Sequence, residues 1–155
     1  MRLLYTLAFA TFVIDQLSKY IVVHAMNLIE RGVIEVAPPL LTLRMAWNTG
    51  INFGLFSDGT NSSRWILIGI ALVISIGVLI WAHREKPRRA GMIAAGLLVG
   101  GALGNVIDRI IYGAVADFLN MSCCGINNPF AFNVADIAIF VGAATLVLIP
   151  AEKGT

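Results

Sequence analysis

The chain has 155 residues, of which 58% are hydrophobic and only 13% are charged, and its mean hydropathy is +0.83. Because about a quarter of the residues in soluble domains are charged, this composition excludes an ordinary soluble protein and indicates one that crosses a membrane several times. The formal net charge of +2 says little about partners, and we expect no nucleic acid among them.

Four apolar stretches approach the length of about 20 residues that a membrane-spanning helix needs. They cover residues 3–26, 64–82, 90–112 and 132–150. We therefore predict an all-α membrane protein, a four-transmembrane-helix bundle that occupies residues 1–155 as a single polytopic membrane domain. The first stretch begins like a signal peptide, but charged residues interrupt it and no small-residue cleavage site closes it, which favours a retained anchor.

The connection between the first two stretches, residues 27–63, is the only long polar segment. Within it, residues 33–36 and 41–47 have the composition of short strands, and Pro38-Pro39 separates them. We expect a small outer β-sheet here, between spans one and two.

Basic residues are distributed unevenly among the connections. Residues 83–89 hold four of the eleven Lys and Arg residues, whereas residues 113–131 hold none and contain a single acid, Asp117. Basic loops stay in the cytoplasm. We therefore expect both termini to be cytoplasmic and the first and third connections to face outward, which places Asp117 and Asp136 at the outer face.

Two adjacent cysteines, Cys123 and Cys124, lie in the third connection. A disulfide between sequence neighbours requires a strained ring, so we expect no structural bridge between them. The spacing of metal-ligand sets is absent from the sequence. We expect no metal and no cofactor.

Carboxylates near hydrocarbon are costly and indicate a functional site by default. Asp136 lies one turn inside the fourth stretch, and Asn133 three residues before it is also typical of a helix-capping pair. For Asn133 and Asp136 taken alone, capping is the favoured interpretation. Beside Asp117, which lies in a connection without a basic partner, the favoured interpretation is two converging carboxylates that share one proton.

Asp15 and Lys19 are one helical turn apart in the first span. At this spacing they can form an ion pair that lowers the cost of both in the membrane. A structural pair is therefore favoured over a catalytic one.

The third span carries polar residues near its outer end, namely Asn105, Asp108 and Arg109. A stripe of small residues with the spacing of close helix packing leads to them. Adjacent helical residues point about 100° apart, so Asp108 and Arg109 should have different partners. Structural support and direct function are equally open for this group.

Other hydrolytic machinery is missing from the sequence. No H-E-x-x-H or G-x-S-x-G motif occurs, and His24 and His83 fall on opposite sides of the membrane in the expected topology. A hydrolase with this sequence must therefore rely on carboxylates. The alternatives are a small transporter, disfavoured because the acids crowd one face, and a non-catalytic assembly factor whose acids pair structurally.

Several segments together resemble the bacterial lipoprotein signal peptidases (type II signal peptidases). These segments are residues 15–19 (DQLSK), 48–54 (NTGINFG), 100–109 (GGALGNVIDR), 115–118 (VADF) and 132–136 (FNVAD). The resemblance extends over nearly the whole chain. It implies a four-span aspartyl endopeptidase of the bacterial inner membrane, which removes the signal peptide from prolipoproteins just before a diacylglyceryl-modified cysteine.

The resemblance also implies roles for individual residues. Asp117 and Asp136 correspond to the catalytic dyad, whereas Asp15 and Lys19 match the first-span motif. The residues that line or support the site are Asn48, Asn105, Asp108, Arg109 and Asn133. The implied partners are prolipoproteins with a lipidated cysteine, membrane lipids and globomycin-type inhibitors. Asn52 and Ala116 depart from the usual family pattern, which bears on loop shape and substrate fit.

Overall fold

The computed structural model describes residues 1–50, 62–125 and 128–148. Its helices are α1 (Arg2–Lys19, extended by a π-helix over Tyr20–Ala25), α2 (Leu28–Arg31), α3 (Ser62–Glu85), α4 (Arg89–Tyr112) and α5 (Val134–Leu148). Its strands are β1 (Val33–Ala37), β2 (Leu41–Asn48) and β3 (Val115–Asn120). The chain is therefore mostly helical, with a small sheet.

The long helices agree with the first three predicted spans. Within the described residues, Arg2–Ala25, Ser63–Glu85 and Arg89–Tyr112 are long and apolar enough to cross a membrane. The fourth predicted span, residues 132–150, is represented by α5, a shorter apolar helix of 15 residues. Residues 149 and 150 lie outside the described residues, and the count of four spans remains a prediction.

Helix α4 is the centre of the helical part and packs against α1, α3 and α5. Glycines permit the closest approaches. A Cβ atom at Gly96 would lie 2.8 Å from the backbone oxygen of Leu4 in α1, and one at Gly101 would lie 2.6 Å from the backbone oxygen of Ala135 in α5. The predicted packing role of the small-residue stripe is confirmed, because neighbouring backbones occupy the space that larger side chains would fill.

The sheet is antiparallel in the order β1-β2-β3. The two strands predicted in the first connection are confirmed, but the interpretation of the segment around Asp117 as a loop is wrong. Asp117 lies in β3, opposite Ala46 of β2. Five of the six β3 residues are buried, so the segment lacks the alternation of polar and apolar residues that identifies a half-exposed strand.

The expectation for the adjacent cysteines is also wrong, because Cys123 and Cys124 form a disulfide. Cys124 has a positive φ of 59°, a turn conformation in which neighbouring side chains can meet. Both cysteines are exposed. Of the predicted 48–54 motif, residues 51–54, including Asn52, lie outside the described residues.

The helix contacts predict the effect of enlarging a glycine. In Gly96→Ala the new methyl group meets the α1 backbone, and overpacking of this kind costs about 1–3 kcal/mol, so the melting temperature should fall. Gly77→Ala on α3 is the matched control, because a Cβ atom there meets nothing within 4 Å. Thermal unfolding in detergent measures both, and equal melting of the two variants would contradict the packing described here.

Candidate functional site

Asp117 and Asp136 are brought together by the side chain of Asn133, which is fully buried. Asn133 Nδ2 donates to Asp117 Oδ1 at 2.6 Å. The backbone N–H of Asn133 donates to Asp136 Oδ2 at 3.3 Å. One residue therefore binds both carboxylates, and the predicted pair converges in the structure.

The start of α5 explains why Asp136 points toward β3. Asn133 Oδ1 accepts a hydrogen bond from the backbone N–H of Asp136 at 2.9 Å, while the Asp136 carboxylate accepts from the Asn133 backbone. This reciprocal pair is a capping box, in which the first and fourth residues satisfy each other's free backbone groups. The capping interpretation is therefore confirmed, and the same Asn133 amide also reaches Asp117.

Two further amides bind the outer oxygens of the pair. Asn105 Nδ2 of α4 donates to Asp136 Oδ1 at 2.9 Å. Asn48 Nδ2, at the end of β2, donates to Asp117 Oδ2 at 3.1 Å. Each carboxylate thus has amide donors on both oxygens, which hold its plane in a fixed orientation.

Asp117 is only 2% exposed, and its environment favours the protonated form. Burial, followed by the negative charge of Asp136, raises the pKa of Asp117 from 3.8 to about 6. The hydrogen bonds from Asn48 and Asn133 act in the opposite direction and limit the increase. Two close carboxylates, one of which holds its proton more tightly than usual, can serve as an acid and a base in one pair.

Arg109 lies in the next layer of the site. Its guanidinium is within electrostatic range of Asp136, Asp117 and Asp108, and its Nη1 donates to the backbone oxygen of Asn105 at 3.4 Å. In the described part of the chain, Arg109 Nε is buried without a hydrogen-bond partner. A buried donor without a partner is costly.

A cavity of about 290 Å³ adjoins Arg109 and Asn105. Its other lining residues are apolar and come from three helices: Leu67, Ile70, Ala71 and Ile74 of α3, Leu98 and Ala102 of α4, and Ile139 and Ala143 of α5. We call it the α3–α5 groove. An apolar groove that ends in polar groups suits a ligand with an apolar body and a polar end.

The predicted Asp15–Lys19 pair is present, with 2.7 Å between Lys19 Nζ and Asp15 Oδ2. Asp108 joins it, at 2.8 Å from the same Nζ. Asp108 and Arg109 therefore have different partners, as expected. Gln16 was not predicted as a site residue, although it stands inside the 15–19 motif; its Nε2 donates to Asp108 Oδ1 at 3.0 Å.

Among the described residues, no group of three or more His, Cys, Asp or Glu side chains is placed to hold a metal ion.

Apolar helices of membrane-spanning length, together with a buried Asp117 beside a partly buried Asp136, indicate a membrane protein with an enzyme-like site. A comparison with known sequences is more specific: the family described as signal peptidase (SPase) II matches residues 7–150. The chain belongs to this family of proteases, and the resemblance noted from the sequence motifs is confirmed.

Individual relatives agree with the family match. The lipoprotein signal peptidase of Rhodopseudomonas palustris is 40% identical over 138 residues, which cover 87% of this chain and 83% of that protein. The lipoprotein signal peptidase of Alteromonas mediterranea is 39% identical over 150 residues, covering 96% and 79%. A bacterial membrane enzyme solved by the in meso method at 1.9 Å resolution has a similar fold, with a TM-score of 0.77 and 29% identity over 92% of this chain and 88% of that one.

The raised pKa of Asp117 predicts a pH-dependent stability. The folded chain binds this proton more tightly than the unfolded chain does, so the contribution to stability is complete below 3.8 and is lost as the pH rises through about 6. Asp117→Asn removes the ionising group and keeps its shape.

Above about pH 6 this variant should melt at a higher temperature than the natural chain, and the difference should close toward about pH 4. Thermal unfolding across this range measures the difference. A variant that melts lower at every pH would contradict the assignment.

Proposed function

We propose that this chain is a membrane aspartyl endopeptidase that removes the signal peptide from prolipoproteins, cleaving just before the diacylglyceryl-modified cysteine. Asp117 and Asp136 are its catalytic pair. The observation that carries the proposal is the Asn133 side chain and backbone, which hold one oxygen of each carboxylate. The names of the relatives support the substrate class.

In the proposed reaction Asp136 acts as the base and Asp117 as the acid. Asp136 lies in the first turn of α5 and accepts hydrogen bonds from Asn105 and the Asn133 backbone, which fix the orientation of its carboxylate. Burial and the negative charge of Asp136 raise the pKa of Asp117 to about 6, so Asp117 holds its proton more readily than a free aspartate does. The pair starts with one proton and one negative charge, because two close carboxylates resist double ionisation.

The steps follow from that starting state. Asp136 takes a proton from water, the water oxygen attacks the scissile carbonyl carbon, and Asp117 gives its proton to the carbonyl oxygen, which forms a gem-diol. Asp136 then passes its proton to the leaving nitrogen as the C–N bond breaks. Asp117 recovers a proton from a gem-diol hydroxyl as the new carboxylic acid forms, so both residues return to their initial states.

The α3–α5 groove supports the proposed substrate. Its apolar walls suit acyl chains or the apolar part of a signal peptide, and Asn105 and Arg109 at its polar end lie beside the pair. The guanidinium of Arg109, which lines the groove, would bind a backbone carbonyl of the substrate. Asn48 at the end of β2 would bind the extended peptide from the sheet side.

The proposed location is the bacterial inner membrane, with four spans, cytoplasmic termini and the catalytic pair toward the outer face. The basic segment between α3 and α4, with its exposed Arg84, Lys86 and Arg89, supports this orientation. Asp117 lies in β3, which follows the end of α4, and Asp136 lies in the first turn of α5, so the pair is near the helix ends opposite the basic segment.

The catalytic pair predicts complete dependence on both carboxylates. Asp117→Asn and Asp136→Asn should each reduce cleavage of a lipidated precursor by at least about 10⁴-fold, because an amide cannot accept or donate the required proton. Cleavage by purified variants that insert normally measures the loss. Glu35→Gln, an exposed acid on β1, is the control and should leave turnover unchanged; substantial turnover by either Asn variant would exclude that aspartate from the pair.

The proposed substrate predicts dependence on lipid and indifference to chelators. A precursor without the diacylglyceryl group should be cleaved far more slowly than the lipidated one, because it cannot fill the groove. Chelators should have no effect if carboxylates alone activate water, and globomycin should compete with the lipidated precursor. Equal cleavage of both precursors, or loss of activity on chelation, would refute this mechanism.

A further inference from the structure

Lys19 is almost fully buried, at 6% exposure, in the helical core. An ammonium group has three hydrogen-bond donors, and Lys19 has three acceptors: Asp15 Oδ2 at 2.7 Å, Asp108 Oδ2 at 2.8 Å and Asn105 Oδ1 at 3.3 Å. Asp15 and Asp108 are 0% and 1% exposed. Breaking such a cluster leaves an uncompensated buried charge, so its geometry is strongly fixed.

Each of the two carboxylates also binds a backbone amide on another element. Asp15 Oδ1 accepts from the N–H of Ala135 at 2.9 Å, and Asp108 Oδ2 accepts from the N–H of Ala116 at 3.3 Å. Ala135 immediately precedes Asp136, and Ala116 immediately precedes Asp117. The cluster therefore holds the backbone beside each member of the proposed catalytic pair.

Through its third acceptor, Asn105, Lys19 also fixes the orientation of a side chain. Because Lys19 donates to Asn105 Oδ1, the oxygen of this amide must face the ammonium, and its NH2 group must face Asp136. Asn133 Nδ2 also donates to this oxygen, at 3.3 Å. Lys19 thus determines which end of the Asn105 amide meets the catalytic carboxylate.

From these contacts we infer that Lys19 is a positioning residue for both halves of the catalytic pair, acting through Asp15 on α5, through Asp108 on β3 and through Asn105 on the Asp136 carboxylate. It does not touch the reacting atoms. The inference rests on the proposed function for its catalytic meaning, but its structural meaning is independent of that function. This role goes beyond that of a stabilising ion pair, because each of the three contacts of Lys19 leads to a defined atom of the site.

Asp15→Asn and Asp108→Asn test the connections through Asp15 and through Asp108 separately. Each replaces one carboxylate by an amide of nearly the same shape and leaves Lys19 with one carboxylate partner, so we expect both variants to fold. Hydrogen exchange should accelerate at the amide of Ala135 in Asp15→Asn and at the amide of Ala116 in Asp108→Asn, with the other amide little changed. Gly96→Ala is the control for general destabilisation and should not produce this selectivity.

Lys19→Gln should release both amides and lower kcat by about 100-fold, the cost of a displacement on the order of 1 Å, with KM changed by less than about threefold. Lys86→Gln, an exposed lysine far along the chain, should change neither. Among the described residues, the charged groups that act on Asp117 are Asp136 from α5, Arg109 from α4 and Lys19 from α1, and Lys19 is itself paired with Asp108. Losing the positive charge of Lys19 should therefore move the limb of the pH–rate profile that reports Asp117 to higher pH.

A lower melting temperature with unchanged kcat, KM and pH profile would overturn the inference and leave a purely stabilising pair. Equal exchange at the Ala135 and Ala116 amides in both Asp15→Asn and Asp108→Asn would also overturn it. If Lys19→Gln does not fold, the hydrogen-exchange rates in Asp15→Asn and Asp108→Asn decide whether the inference holds. If the natural chain does not cleave a lipidated precursor, the proposed function fails, whereas the exchange result still tests the placement of the two segments.

Discussion

The site depends on a positive charge that the protein buries between helices. Lys19 of α1 binds Asp108 of α4 and its own neighbour Asp15, and Asp15 in turn binds the α5 backbone. In a membrane, a lone charge at this depth is costly, and pairing is what makes it tolerable. The same requirement forces three helices and β3 into one register, because each carboxylate is satisfied only when the segment it binds is in place.

Glycine makes this arrangement physically possible. A Cβ atom at Gly104 would clash with the Asp15 carboxylate, so α1 can bring its charged side chains against α4 only because that side chain is absent. Gly101 serves the α5 side in the same way. The polar cluster and the close helix packing are therefore one feature, in which small residues on α4 allow the charged groups of its neighbours to meet.

The sequence predicted those parts of the structure that follow from local pattern. Long apolar stretches identified the first three helices, and the i, i+4 spacing of Asp15 and Lys19 identified their ion pair. It did not predict β3, because a strand buried at nearly every position has no alternating pattern to detect. Nor did it predict the role of Gln16, whose partners are distant in sequence and are determined only by how α1 packs on α4.

The Asn133–Asp136 pair shows why a structural and a functional interpretation of one motif need not compete. The four-residue spacing is sufficient to cap α5, and the structure contains that cap. The cap uses Asn133 Oδ1 and leaves Nδ2 free, and this second group reaches Asp117. A motif that ends a helix thus also sets the distance and orientation of two carboxylates, which spacing alone could indicate but not establish.

The two sides of the site differ in their hydrogen bonding: on one side the donors have acceptors within the chain, and on the other a donor has none among the described residues. Toward α1, the three Lys19 donors all have acceptors within the chain, so Lys19 offers no free donor to a further ligand. Toward the α3–α5 groove, within the described residues, Arg109 Nε is buried and has no acceptor. A ligand in the groove would meet Asn105 and Arg109, whereas Lys19 does not line this groove. The lysine cluster can therefore hold the proposed catalytic pair from the side of α1, without competing with a substrate in the α3–α5 groove for the same space.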